Sequence, residues 1–167
     1  ALYKAFINNE PIILDFVYGD IDSQGIMTPL DGQQRLTTLF LLHWYEAKRN
    51  NISPSEYGFL KSFSYETRYS ARDFCENLIN NYNPTFNAPI SEEIIDQNWF
   101  PLDWKNDPTI SSLLVMLDDI HAKFFELNDA WTALKEGIIK FYFLPIKDMG
   151  LTDELYIKMN SRGKPLT

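Results

Sequence analysis

The sequence predicts an α+β fold: a small mixed sheet with several packed helices, and more helix than strand. Three observations predict it. Two segments, 12–18 and 138–146, are rich in β-branched and aromatic residues. Two longer segments, beginning near Gln33 and near Pro108, carry apolar residues at helical spacing. The 167 residues include 45% hydrophobic and 15% aromatic residues, enough for one packed core, and no apolar run approaches the ~20 residues that span a bilayer.

Along the chain, Ile12, Leu14, Phe16 and Tyr18 fall on one face of the first expected strand. Gly19 through Gly25 reads as a turn, and 26–30 as a short return strand that Pro29 confines to an edge or an end. After Asp31-Gly32 comes a strong helix with Leu36, Leu39, Phe40, His43, Trp44 and Ala47 as its stripe. Lys48 and Arg49 suit its negative end. The alternation of Phe59, Lys61, Phe63 and Tyr65 suggests a further strand over 57–65. Ser70-Ala71-Arg72-Asp73 resembles a capping box ahead of a helix with Phe74, Leu78 and Ile79 on its apolar face. Residues 81–90 read as a loop, and Ser91 as the cap of a short helix. Asp107-Pro108 opens the next helix, whose stripe is Ile110, Leu113, Leu114, Leu117, Ile120 and Phe124. Residues 131–137 read as a helix ended by Gly137, and 138–146 as a strand. Thr152 reads as the cap of a last helix, ended at Asn160-Ser161-Arg162-Gly163.

Composition narrows function. Cys75 is the single cysteine, which excludes an internal disulfide. With His43 and His121 it cannot complete a structural Cys/His zinc site. A cytoplasmic setting is expected. The net charge of −8 makes a poor general binder of nucleic-acid backbone, so any anion site must be local. Residues 140–167 depart from that acidity, with five basic side chains against three acidic ones. The first residue is Ala and the last stretch has nothing to close it, so the expectation is one domain over 1–167, cut at both ends from a longer protein.

The chemistry concentrates at Asp31-Gly32-Gln33-Gln34-Arg35. A helix start presents unpaired N–H groups and partial positive charge, which favour phosphate. Gly32 permits a sharp turn and close approach of a ligand. Gln33 and Gln34 offer uncharged donors and acceptors, and Arg35 a planar fork suited to phosphate oxygens. Asp31 can orient Arg35, hold a metal ion through water, or cap the helix. On these residues alone, an ordinary capped helix start explains the segment as well. Near the other end, Gly163 suits a left-handed helix cap, with Arg162 and Lys164 beside it and Asn160 able to donate and accept. An ordinary helix end with favourable basic residues explains these too.

Other constellations are weaker. Asp20, Asp22, Gln24, Gly25 and Asp31 fall at calcium-loop positions, but Gln24, the short Asp31 and the interior Pro29 favour a polar hairpin turn. Asp118 and Asp119 point in different directions on a helix and read as a solvated face. His43 sits on an apolar stripe and reads as a buried, hydrogen-bonded residue, and Cys75 as packing. Trp99, Phe100, Trp104 and Trp131 read as core. Arg68 and Arg72 read as surface residues or ion-pair partners. No phosphate-binding Gly-x-x-x-x-Gly-Lys loop is present.

The string Leu30-Asp31-Gly32-Gln33-Gln34-Arg35-Leu36-Thr37-Thr38-Leu39 resembles the hallmark of the DGQQR-motif family. These are N-terminal domains of GmrSD-type, modification-dependent (type IV) restriction endonucleases and related phage-defence proteins. The block 155–167, with its Asn-x-x-Gly turn, resembles that family's second block, and the segments 63–68 and 70–78 resemble segments of one branch of it, which implies Arg68 and Arg72 as additional phosphate contacts. The resemblance implies a fold related to the ParB/sulfiredoxin group, in which a Gly-x-x-Arg segment at a helix start binds nucleotide phosphate. It implies binding and hydrolysis of a nucleoside triphosphate (GTP, UTP, CTP or ATP) with Mg2+, controlling DNA cleavage by a separate nuclease domain or partner subunit. Asp31, Gln33, Gln34 and Arg35 would be the catalytic residues. Gly32, Arg35, Asn160, Arg162, Gly163 and Lys164 would bind the nucleotide, with no dedicated protein metal site. A non-enzymatic sensor of DNA backbone or of a modified base, and a structural interaction domain, are the alternatives. Members usually carry a Tyr-Gln-Arg string before the first helix, and it is missing here. No His-Asn-His arrangement is present either, so DNA cleavage is not expected of this chain.

Overall fold

The computed structural model describes residues 2–145. The elements run α1 (Leu2–Asn8), β1 (Ile12–Ile21), β2 (Met27–Asp31), α2 (Gln33–Arg49), α3 (Pro54–Tyr57), a 3-10 helix (Gly58–Ser62), α4 (Tyr69–Asn81), α5 (Ile90–Ile95), a second 3-10 helix (Leu102–Asn106), α6 (Pro108–Phe124), α7 (Ala130–Lys135) and β3 (Ile139–Pro145). This is the expected α+β class, with more helix than strand among the described residues.

The described strands form one mixed sheet in the order β2-β1-β3. β1 pairs antiparallel with β2 and parallel with β3. A parallel pair cannot be joined by a tight turn, and the helical layer supplies the long connection between β1 and β3. One sheet face carries Val17, fully buried, while Phe16 and Tyr142 contact each other on the exposed face with ring centroids 5.5 Å apart.

α2 is the centre of the helical layer. Leu39 through Leu42 and Trp44 through Ala47 are all buried, so it is covered nearly all round rather than along one stripe. The Trp44 Nε1–H donates to the Leu78 carbonyl at 2.8 Å, tying α2 to α4 in the dry interior. Trp44 stacks on Tyr82, and Phe40 stacks on Phe63 at 4.4 Å. The α6 stripe Ile110, Leu113, Leu114, Leu117, Ile120 and Phe124 is buried as the spacing predicts. Asp107 caps that helix by accepting from the N–H groups of Thr109 and Ile110.

Several expectations are corrected. The segment 57–65 is helical turn and 3-10 helix to Ser62 rather than strand. Pro54 at the first helical position starts a helix, and the buried pair is Tyr57 and Leu60, three apart. Phe59, on the supposed strand face, is 54% exposed. β1 runs on to Ile21, so the turn spans only 22–26, where the Asp22 carboxylate accepts from the N–H groups of Gln24 and Ile26. Ser70 caps nothing: α4 begins at Tyr69 after Arg68, and no side chain caps it. Ser91 lies inside α5, and its backbone N–H and hydroxyl both donate to Asp118. Asp118 is thereby a tertiary contact rather than part of a solvated face. The helix expected after Thr152, with its Asn160–Gly163 end, lies outside the described residues, and α1 is an element that the sequence reading did not assign.

Candidate functional site

β2 turns directly into α2 through Gly32. This residue has φ 88°, the left-handed region, and no side chain caps the helix. Asp31 is therefore the last residue of β2, paired with Tyr18, and not the cap that its position before Gly suggests. Gly32 also lies against β1. A Cβ built there would sit 2.9 Å from Cγ2 and 3.3 Å from Cα of Val17. Glycine is required twice over, by conformation and by contact. The first N–H groups of α2 have no carbonyl four residues back, so this end of a 17-residue helix offers donors to a ligand.

The structure divides the motif between two flanks. Gln33 and Gln34 are exposed and line a cleft of about 860 Å³. The Gln33 side-chain amide donates to the Pro29 carbonyl at 3.1 Å, and the hydroxyls of Thr37 and Thr38 donate to the carbonyls of Gln33 and Gln34. Arg35 lies on the sheet flank and is not among the residues lining the cleft. Its Nη1 donates to the Phe16 carbonyl at 3.2 Å, beyond Tyr18–Asp31, where the β1–β2 pairing ends. Arg35 thus takes over from β2 in satisfying β1. Arg35→Ala is expected to cost about 1–2 kcal/mol, because a hydrogen bond to a charged group contributes about 1.5–3 kcal/mol and exposure to solvent reduces it. Urea unfolding checks it, and an unchanged midpoint would mean that the bond holds nothing together.

The far wall of the cleft is built by the segment 62–68 and by the starts of α4 and α6. Arg72 braces that segment. Its Nε donates to the Tyr65 carbonyl at 2.7 Å, its Nη2 donates to the Glu66 carbonyl, and its guanidinium lies 5.1 Å from the Tyr69 ring centre. Arg68 reaches across to the Thr109 hydroxyl at the start of α6. Tyr65 meets Thr37 across the cleft floor, hydroxyl to hydroxyl, at 3.5 Å. The charged residues lining the cleft are Asp22, Glu66, Arg68 and Arg72. The region is therefore balanced within a chain of net charge −8. Local patterns mark both arginines but cannot place them in one cleft with Gln33 and Gln34, which lie 34 to 39 residues earlier in the chain. Asn160, Arg162, Gly163 and Lys164 lie outside the described residues.

Elsewhere, titratable groups serve packing. Burial pushes the Cys75 thiol up to about 12, so it is no nucleophile near neutrality. Burial also lowers the His43 pKa, and its Nδ1 lies 2.6 Å from the Leu39 carbonyl between the rings of Phe59 and Trp131. His121 Nδ1 meets the Tyr45 hydroxyl at 2.8 Å. No cluster of three or more potential metal ligands occurs among the described residues, and among them no helix is long and apolar enough to cross a membrane.

One protein-family model matches this chain, over residues 4–167, and its description is "GmrSD restriction endonuclease, N-terminal domain". No curated protein and no solved structure matches.

Proposed function

Because the chain belongs to the family of N-terminal domains of GmrSD restriction endonucleases, its setting is restriction, and we propose that within that setting it is the nucleotide-binding and nucleotide-hydrolysing regulatory domain. The observation that carries this reading is the uncapped start of α2, opened by Gly32 in the left-handed conformation, beside a cleft of about 860 Å³ lined by Gln33, Gln34, Arg68 and Arg72. A cleft of that size lies within the ~300–1,000 Å³ typical of small-molecule sites. A phosphate chain at the tip of α2 has Gln33 and Gln34 on its cleft flank and Asp31 and Arg35 on its sheet flank.

Roles follow from donor chemistry. The first-turn N–H groups bind phosphate oxygens. Gln33 or Gln34 orients the phosphate or the attacking water, as an amide can without itself titrating. Asp31 orients that water or a magnesium ion. When bound, magnesium would neutralise charge on the phosphates. It keeps most of its ligands as water and phosphate oxygens, so the scarcity of gathered carboxylates among the described residues is compatible with it. On the family reading, Asn160, Arg162, Gly163 and Lys164 supply the remaining nucleotide contacts. The nuclease that the nucleotide would control lies in a separate domain or partner subunit, and DNA is reached through it. The net charge of −8 favours a small nucleotide over the DNA backbone as this domain's own ligand.

Gln34 decides the test. It is exposed, and its side chain makes no hydrogen bond within the described residues. Gln34→Ala is expected to leave the melting temperature unchanged while weakening binding of the preferred nucleoside triphosphate about 10- to 100-fold, the loss of one hydrogen bond to a charged group. Calorimetric titration with each of the four ribonucleoside triphosphates, with and without magnesium, measures it. Full affinity in the variant removes the cleft flank from the site, and no binding by the unaltered protein removes the proposal.

A further inference from the structure

The two cations of the cleft wall have unlike partners. Arg72 is committed, since its guanidinium holds two backbone carbonyls of the segment 62–68 and lies over Tyr69. Arg68 is exposed, and its guanidinium has one hydrogen bond, to the neutral hydroxyl of Thr109. Asp107, which caps α6 through Oδ1, does not form an ion pair with it. Neither Arg68 nor Arg72 forms an ion pair with a carboxylate among the described residues; their hydrogen bonds go to a hydroxyl and to backbone carbonyls. A guanidinium on a hydroxyl gains much less than one on a phosphate oxygen, where the hydrogen bond is charge-assisted and about twice as strong. Arg68 thus lines the same cleft as Gln33 and Gln34, held by a weak partner that an anion would displace.

We infer that Arg68 reads the phosphate chain of the ligand: it exchanges the Thr109 hydroxyl for the terminal phosphate and gives a nucleoside triphosphate its advantage over the monophosphate. The inference rests on the nucleotide reading above and adds to it the side chain that discriminates by charge. The two ends of the site then have different tasks. The first turn of α2 holds the phosphate nearest the helix with uncharged donors, which any nucleotide satisfies. Arg68 supplies counter-charge on the opposite wall, which only the longer phosphate chain uses. Arg72 is the positioning residue that keeps the intervening segment, and with it Arg68, in place.

The test is calorimetric titration of the full chain with the four ribonucleoside triphosphates and the matching monophosphates. Arg68→Ala is expected to weaken triphosphate binding about 10- to 100-fold and to leave monophosphate binding within about twofold. Arg68→Lys, which keeps the charge without the fork, should recover part of the difference. Thr109→Val removes the competing hydroxyl and should leave triphosphate affinity unchanged or raised. Equal losses for both ligands in Arg68→Ala would reduce Arg68 to a structural role and overturn the inference, as would undiminished triphosphate binding or a loss in Thr109→Val. If the unaltered protein binds no triphosphate, the nucleotide reading falls with it. If it binds one and Arg68→Ala binds equally well, only the inference about Arg68 falls.

Discussion

Gly32→Ala is expected to destabilise the protein by about 2–4 kcal/mol. Two independent costs combine. An L-residue held in the left-handed region costs roughly 1–2 kcal/mol, and φ here is 88°. The added Cβ would meet Val17 at 2.9 Å to Cγ2 and 3.3 Å to Cα, and overpacking of a filled interior costs about 1–3 kcal/mol. Val17 is fully buried in the central strand, so it has little room to yield. For a chain of this size the loss lowers the melting temperature by about 5–15 °C. Gly25→Ala is the control. Gly25 has φ 80° but nothing within 4 Å of its built Cβ, so it should show only the conformational cost. The difference between the two variants in urea unfolding isolates the contact with Val17, and equal losses would mean that the contact is absent. Under the proposed function, Gly32→Ala also lifts the first turn of α2 from β1, so nucleotide binding should be lost even where the variant remains folded.

That glycine shows how far the sequence could be read. Asp31-Gly32 announced a helix start, and the helix is there from Gln33 to Arg49. The pattern did not say that Asp31 completes a strand and that Gly32 is itself the cap, because the choice depends on Val17 lying beneath. The long helices were legible because apolar residues recur at helical spacing over 17 positions, although α2 is buried nearly all round and only α6 along its stripe. The segment 57–65 was not, since five alternating residues fit a strand as well as a 3-10 turn. Pro54 and the burial of Leu60, 4% exposed, decided for the turn. The same limit applies to the site. Gln33, Gln34 and Arg35 are adjacent, yet successive helix positions lie 100° apart, so Arg35 faces the sheet while the glutamines face the cleft. Arg68 and Arg72 join them through the packing of α4 and α6 around α2, which no local pattern encodes.

Glu46→Gln is expected to stabilise the protein above neutral pH by about 2–3 kcal/mol. Glu46 lies in the middle of α2's buried face and is 0% exposed. Burial pushes its carboxyl from 4.5 up to about 7; Asn50 and Arg49 oppose the rise, and Asp129 adds to it. Asn50 donates to Oε2 at 3.0 Å, whereas Oε1 is buried with no hydrogen-bond partner. Ionising this group leaves a charge in the interior with half its acceptor capacity unused. The sign follows from where the protons sit. Between about pH 4.5 and 7 the folded protein keeps the Glu46 proton that the unfolded chain has released, so stability falls as pH rises across that window. Above about 7 both states are ionised and the loss, about 3 kcal/mol for a rise of this size, is complete. Glutamine keeps the acceptor for Asn50 and never ionises, though its amide N–H groups enter a place that offers them no acceptor, which trims the gain. The two proteins should therefore converge near pH 4.5, separate between about pH 4.5 and 7, and keep a level difference above that in urea unfolding followed across pH. A constant difference at every pH would locate the effect in packing rather than in the proton. The carboxyl also bears on the site, because it lies on the helix whose first turn carries Gln33 and Gln34. If its charge only loosens the far end of α2, nucleotide affinity in Glu46→Gln will match the unaltered protein at pH 6 and pH 8 alike. An affinity gap that opens with pH would instead show that strain at Glu46 travels along α2 to Gly32.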